Sequence, residues 1–211
     1  MEQGDNPVPG SPTDIAAQKR AVRTEVRARL AALDGPQIQG KSQSLAERLF
    51  ETSWWRDGQW VFIYIPMGGE VGTRFIVSKA YREGKQVAIP RMEGEDLAFY
   101  FYDGRTENLL PNQFGILEPD PAWSLVDPFV PTGKRLLILT PGLAFDRQGR
   151  RLGRGKGFYD RFLCGLRKAH PAGSDSWAVG LAFAEQLVER VPVSGHDELL
   201  EGIVTDREII G

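Results

Sequence analysis

Two short stretches constrain this chain more than anything else in it: residues 60–65 (WVFIYI) and residues 135–140 (RLLILT). Apart from Arg135 at one end, both are aromatic, aliphatic or β-branched over consecutive positions, without the apolar/polar alternation of a strand that has water on one face. Such runs read as strands covered on both sides, the pattern of a parallel sheet. They are far too short to cross a bilayer. The fold must therefore place a layer of other structure on each face of a sheet.

The rest of the chain supplies those layers. Thr13 or Asp14 can cap a helix to about Leu33, with Val22, Val26, Leu30 and Leu33 as its apolar stripe. Lys19, Arg23 and Arg27 recur at four-residue spacing on a second face. A second helix is predicted from Lys41 to about Thr52, with Leu45, Leu49 and Phe50 inward, and a third after Thr73 through about Arg82. Residues 86–90 and 97–102 read as further strands, the latter more exposed. Residues 105–132 hold six prolines or glycines and read as a long covering loop. A helix over 158–168, a strand over 177–181 and a short strand near 203–205 complete the pattern. This alternation predicts an α/β fold: a single three-layer domain, residues 13–211, whose mainly parallel sheet has helices on both faces and an antiparallel strand at most at an edge.

Composition narrows the function classes. A single cysteine, Cys164, excludes an intrachain disulfide and a Cys-cluster zinc site, and reads as a small buried helix residue. His170 and His196 are too few for a His-rich metal site, and His196 reads as a surface residue or one lying behind a ligand. Twenty-six Lys and Arg against 28 Asp and Glu give a net charge of −2, which speaks against a general nucleic-acid coat protein or a polybasic membrane binder. Residues 1–12 are a Gly/Pro/Ser/acidic tail with no basic and apolar signal pattern, and are expected to be disordered. A soluble, cytoplasmic protein is the expectation.

The richest chemistry lies in residues 140–163, TPGLAFDRQGRRLGRGKGFYDRFL. The segment leaves a buried strand, where open α/β sheets place their ligands, and ends in a helix. Gly149, Gly153, Gly155 and Gly157 are interleaved with Arg150, Arg151, Arg154 and Lys156. Glycines let backbone N–H groups approach a polyanion, a following helix N-terminus adds its dipole, and the cations neutralise phosphate oxygens. The pattern reads as a phosphate cradle. It is neither a Walker A loop, since Arg150 and Gly157 stand where Gly and Ser/Thr are needed, nor a dinucleotide fingerprint, since Phe158 stands where Gly is needed. An exposed Gly/Arg loop without a ligand, or a nucleic-acid-binding Arg/Gly module, are the competing readings.

The GLAFDRQGRRLGRGKGFYDRFL segment closely resembles the signature of the 5-formyltetrahydrofolate cyclo-ligase (5,10-methenyltetrahydrofolate synthetase) family. Similar likenesses run in order through Lys19–Arg23, Tyr64-Ile65-Pro66 with Glu70-Val71-Gly72-Thr73, Ile89-Pro90-Arg91, Phe114–Pro119 and Val191-Pro192-Val193 with His196-Asp197. The resemblance spans about residues 19–206. It implies a single α/β domain, a monomer by default, that converts 5-formyltetrahydrofolate to 5,10-methenyltetrahydrofolate with ATP and Mg2+. In that chemistry the formyl oxygen takes the γ-phosphoryl group, and N10 then attacks the activated carbon.

The resemblance further implies that Arg151, Gly153, Arg154, Gly155, Lys156, Gly157, Phe158 and Tyr159 wrap the triphosphate. Arg154 and Lys156 would lie nearest the transferred group, and Lys19, Arg20 and Arg23 would reach the nucleotide from the first helix. Taken alone, those helix cations read as a solvated face. Asp160 and Asp197 resemble magnesium carboxylates; alone they are a first-turn helix acid and a loop residue. Met67, Glu70, Phe114 and Phe158 fall on the folate side, with Phe158 and Tyr159 suited to stack on pterin or adenine. Met67 reads equally as core. Gly72 stands where the family usually carries an acid that contacts folate, so either Glu70 takes over or that hydrogen bond is missing. A cyclo-ligase-like nucleotide binder without folate activity is therefore the alternative.

Overall fold

The structure, a computed structural model, describes residues 12–112, 115–129, 133–170, 175–195 and 197–211, with side chains from residue 14 onward. In chain order the helices are α1 (Pro12–Ala31), α2 (Gly35–Phe50), α3 (Ser53–Asp57), α4 (Arg74–Arg82) and α5 (Phe158–Ala169). The strands are β1 (Trp60–Ile63), β2 (Gln86–Glu93), β3 (Asp96–Phe101), β4 (Leu110–Pro111), β5 (Leu117–Glu118) and β6 (Leu125–Val126), followed by β7 (Leu136–Thr140), β8 (Ala144–Phe145), β9 (Arg151–Leu152), β10 (Ser176–Ala182), β11 (Gly202–Thr205) and β12 (Ile209–Ile210).

Eight strands form one sheet in the order β12-β11-β10-β7-β1-β2-β3-β6. The five central strands are parallel to one another. The edges turn antiparallel, at β12 on one side and at β3 and β6 on the other. The expected three layers are present. Val61, Ile63, Leu137 and Leu139 point to one face, under Leu45 and Leu49 of α2 and Ile76 and Ala80 of α4. Phe62, Leu136, Ile138 and Ala178 point to the other, under Phe162, Leu163 and Leu166 of α5. The two apolar runs thus lie at the middle of the sheet, and burying each such side chain contributes about 1.5–3 kcal/mol.

Several boundaries differ from the sequence reading, each for a local reason. Helix α1 starts by Pro12, ahead of the Thr13 or Asp14 cap and inside the segment read as tail. Helix α2 starts at Gly35 rather than Lys41, because Asp34 and Gln37 form a reciprocal capping box with Pro36 in the first turn. Thr52 does not end α2; its side chain accepts from Trp55 N and caps the separate turn α3. The covering stretch 105–132 contains β4, β5 and β6, two-residue strands too short to carry a period. Cys164 is half-buried rather than buried.

Helix α1 packs mainly outside the two sheet layers, only its Leu30 among the described residues also touching the core on the α2 and α4 side. Its Val26, fully buried, packs with Leu143, Ala144, Leu152 and Val191, so the helix clamps the β8–β9 hairpin that carries the glycine loop. Val22 and Leu30 extend that contact. This docking brings the cations of α1 to the far side of the same loop.

Candidate functional site

A cavity of about 230 Å3 opens beyond the C-terminal ends of β1, β2 and β7, at the N-terminus of α5. Its walls differ in kind. One is the glycine loop, with Arg151, Gly153, Arg154, Lys156 and Gly157; the other is apolar, with Ile65, Pro90, Met92, Leu97, Ile116 and Leu117. Phe158 and Tyr159 join the two.

The β8–β9 hairpin exists because Asp146 is wholly buried and accepts four hydrogen bonds. Its Oδ1 takes Gln148 N at 3.0 Å and Arg150 N at 3.1 Å. Its Oδ2 takes Val191 N at 2.8 Å and the Arg150 guanidinium at 3.3 Å. A buried carboxylate is tolerated only when satisfied in this way. Past β9 the chain turns through Gly155 (φ 108°) and Gly157 (φ 73°), left-handed values that disfavour any residue with a Cβ. Gly157 then directly precedes α5.

The cations of the motif do not all turn inward. Arg147 pairs with Glu208, Arg150 with Asp146, and Arg161 donates to the carbonyls of Glu95 and Lys156. That leaves Arg151, Arg154 and Lys156 at the cavity. Arg150 lies in the turn before β9, where Asp146 holds both its N–H and its guanidinium, whereas Arg151 opens β9 itself.

Arg151 is buried, donates to Asp160 Oδ1 at 2.6 Å and to Pro141 O at 3.2 Å, and lies over the Tyr159 ring at 5.5 Å. Its Nε and the Tyr159 hydroxyl are both buried, and neither has a hydrogen-bond partner among the described residues. Both residues line the cavity, and buried polar atoms are normally satisfied, so a polar ligand atom would complete what the described residues leave open. Burial also pushes the Tyr159 hydroxyl well above its ordinary pKa, so it stays a donor.

Arg154 donates to Glu70 Oε1 from Nε at 3.2 Å and from Nη2 at 2.9 Å. Glu70 Oε2 accepts from Met67 N at 2.9 Å, which folds the loop after β1 against the cavity and brings Met67 into its lining. Lys156 is exposed, and its ammonium group makes no hydrogen bond or ion pair among the described residues. On the far side of the loop, Arg23 Nε donates to Gly153 O at 3.0 Å, and its guanidinium lies 3.6 Å from where a Cβ of Gly155 would stand. Lys19 Nζ donates to Asp197 Oδ2 at 2.6 Å and to Ser194 Oγ at 2.9 Å. Burial acts to raise the Asp197 carboxyl, but Lys19 and the Ser194 N–H and hydroxyl outweigh it and hold it below the usual carboxylate range. Desolvation, then repulsion from Arg27, lowers the Arg23 guanidinium.

Most residues singled out from the sequence thus gather around one loop, with exceptions. Arg20 is exposed, and its guanidinium makes no hydrogen bond or ion pair among the described residues, while its carbonyl accepts from the Thr24 hydroxyl. Gly72 is not in the cavity lining; its N–H donates to Ser42 Oγ at 2.9 Å. Phe114 and His196 lie outside the described residues. Asp160 lines the cavity, whereas Asp197 is held by Lys19 outside that lining. Among the described residues no three His, Cys, Asp or Glu side chains are grouped to hold a metal ion. Glu118, buried in the cavity wall, was not foreseen, because residues 105–132 carry no period that would place it opposite the cradle.

A mainly parallel α/β sheet with a cationic glycine loop at a helix N-terminus, facing an apolar wall, has the chemistry of a site for a polyanion beside a flat organic ring. The sequence model of the 5-formyltetrahydrofolate cyclo-ligase family matches residues 15–206, and the chain belongs to that family. It is 31% identical over 200 residues to the probable 5-formyltetrahydrofolate cyclo-ligase of Caenorhabditis elegans, covering 93% of this chain and 96% of the relative. It is 32% identical over 189 residues to the 5-formyltetrahydrofolate cyclo-ligase of Escherichia coli, covering 87% and 98%. The NMR structure of Aquifex aeolicus 5,10-methenyltetrahydrofolate synthetase superposes with a TM-score of 0.72 at 26% identity, over 93% of this chain and 91% of that one. Among the described residues no helix is long and apolar enough to cross a membrane.

Proposed function

We propose that this chain converts 5-formyltetrahydrofolate and ATP to 5,10-methenyltetrahydrofolate, ADP and phosphate. The observation that carries the reading is the two-walled cavity, cationic on the side of the glycine loop and apolar on the other. An amide oxygen is a weak nucleophile, so the reaction depends on positioning and charge neutralisation rather than on a protein nucleophile. The formyl oxygen bonds to the γ-phosphorus as the bond to ADP breaks. N10 then attacks the formyl carbon, the N10 proton is lost, and phosphate leaves with the former formyl oxygen.

In this reading Lys156 and Arg154 neutralise the transferred phosphoryl group. Arg151 and Tyr159 offer their unpartnered N–H and O–H to the same ligand set. The backbone from Gly153 to Gly157 and the α1 cations Lys19, Arg20 and Arg23 serve the nucleotide, while Met67, Glu70 and Phe158 serve the folate. Support for Lys19 and Arg23 comes from their bonds at the loop and at Asp197; Arg20 has no such support.

A divalent cation fits Asp160, which faces the cavity with one of its oxygens engaged, because magnesium takes one or two carboxylates and fills its remaining positions with phosphate oxygens and water. Asp197 fits less well, its Oδ2 already accepting three donors. When bound, the ion would spread phosphate charge; the chain's part is to hold and orient the phosphates around it. The reading takes the protein as cytoplasmic and monomeric, and size-exclusion chromatography checks the oligomeric state.

The test is spectrophotometric. Purified protein given 5-formyltetrahydrofolate, ATP and Mg2+ should develop the near-ultraviolet absorbance of the methenyl product. Nucleotide binding without that product would leave only the alternative, a relative that binds nucleotide and serves another reaction.

A further inference from the structure

We propose that Glu118 is the residue that reads the hydrogen-bond-donor edge of the pterin ring; the assignment rests on the folate reading above. Three carboxylates line the cavity: Glu70, Glu118 and Asp160. Two are already turned to the cradle, Glu70 by Arg154 and Asp160 by Arg151. Glu118 stands apart from the glycine loop, in the wall formed with Pro90, Met92, Leu97 and Ile116. It is 4% exposed, and β5, which carries it, abuts β2.

Among the described residues its carboxylate is hydrogen-bonded through one oxygen only. Oε1 accepts from Met92 N at 3.2 Å and from Asn112 Nδ2 at 2.9 Å, which sets its orientation. Oε2 has the Arg91 guanidinium at 3.6 Å, within ion-pair range but beyond a hydrogen bond. Arg91 itself donates to Pro119 O at 2.9 Å, so it holds the charge of Glu118 without saturating it. A buried carboxylate with acceptor capacity left over is costly unless a ligand uses it.

The substrate supplies what that oxygen lacks. The pyrimidinone edge of a tetrahydropterin presents N3–H and the 2-amino group side by side, both donors. The opposite wall is poorer in free acceptors, because its arginine and lysine side chains carry none and its two carboxylates, Glu70 and Asp160, are paired with Arg154 and Arg151. A carboxylate takes such a donor pair as it takes the fork of a guanidinium. Glu118 would therefore orient the ring with its N5 formyl group toward the cationic loop, and would select 2-amino pterins over analogues without that group.

Calorimetric titration of 5-formyltetrahydrofolate and its 2-desamino analogue into the full chain and into E118Q tests this. Glutamine keeps the shape and the acceptor for Met92 N but replaces one acceptor oxygen by a donor. The wild type should bind the parent about tenfold or more tighter than the analogue, E118Q should bind the two alike, and ATP binding should be unchanged. A wild type that does not discriminate, or an E118Q that keeps the full discrimination, overturns the assignment. Should E118Q fail to fold, E118D, whose carboxylate is withdrawn by one methylene, must lose most of the discrimination, and its retention overturns the assignment equally. A wild type that binds no 5-formyltetrahydrofolate at all overturns the folate reading itself, an outcome distinct from binding without discrimination.

Discussion

Arg154 reaches from the glycine loop to a single oxygen of Glu70, so the guanidinium that would serve phosphate and the carboxylate that would serve folate are each other's partners. With the Arg154 side chain 47% exposed, the pair adds no more than about 1 kcal/mol to the fold. It is instead a cheap contact that an arriving phosphate can replace.

Glu70→Gln should therefore strengthen nucleotide binding by a few-fold, about the factor that 1 kcal/mol represents, because Arg154 no longer has a charged rival to leave. The glutamine oxygen still accepts from Met67 N, so the loop after β1 keeps its shape. Calorimetric ATP affinities of the two proteins check this; weaker binding by the variant would show the pair to be a support for the site rather than a competitor.

Lys156→Ala should lower turnover by about 100-fold or more, the range seen when a charge-stabilising donor is removed from a transition state. The melting temperature should stay close to that of the wild type, since the lysine ammonium is exposed and holds nothing in the described structure. Steady-state kinetics beside a thermal melt separates the two effects. Near-normal turnover would remove the lysine from the reaction.

What could be read in advance follows from how local the controlling physics is. Val61, Phe62 and Leu137 announce a doubly covered strand by themselves, because every position in the run is apolar. The glycine loop was legible because Gly155 and Gly157 must take left-handed backbone angles that few other residues accept. The early start of α2 is equally local, written in Asp34, Pro36 and Gln37. The orientation of Arg147 and Arg150 was not legible, since it depends on Glu208 and on the burial of Asp146. Nor was the place of Glu118, which is set by a two-residue pairing of β4 with β5 and by an approach to Met92 from 26 residues away.

Asp197 gives a pH signature. Its carboxyl is held below the ordinary value, despite burial, by Lys19 and Ser194, so its contribution is present above the unfolded carboxylate pKa near 3.9 and is lost as pH falls through the lower folded value. Asp197→Asn should accordingly melt below the wild type at neutral pH, with the gap closing as the buffer is taken below about pH 4. Thermal melts across that range check the sign; a gap that widens on acidification would mean that Asp197 is not the partner Lys19 relies on.

Gly149 and Gly84 make a controlled comparison of what a glycine does in this fold. Both have left-handed backbones, φ 78° and φ 70°. A Cβ at Gly84 would meet nothing within 4 Å, whereas at Gly149 it would stand 2.6 Å from the carbonyl oxygen of Leu200. That oxygen belongs to backbone, and Leu200 N is itself bonded to Gly149 O at 2.9 Å, so neither segment can yield without breaking the contact. Gly84→Ala should cost only the left-handed penalty, about 1–2 kcal/mol, or roughly 2–8 °C of melting temperature in a chain this size. Gly149→Ala carries the same penalty plus the clash, and should cost at least twice as much. The functional consequences should separate further. Gly149 lies in the turn between Asp146 and Arg150 that sets β9, so displacing it moves Arg151 away from Asp160 and Tyr159 and should depress turnover even well below the melting point. Gly84→Ala, in the turn between α4 and β2, should leave turnover unchanged. Parallel melts and rates for the two variants decide the matter, and equal effects on both would mean that the turn after β8 does not position the cradle.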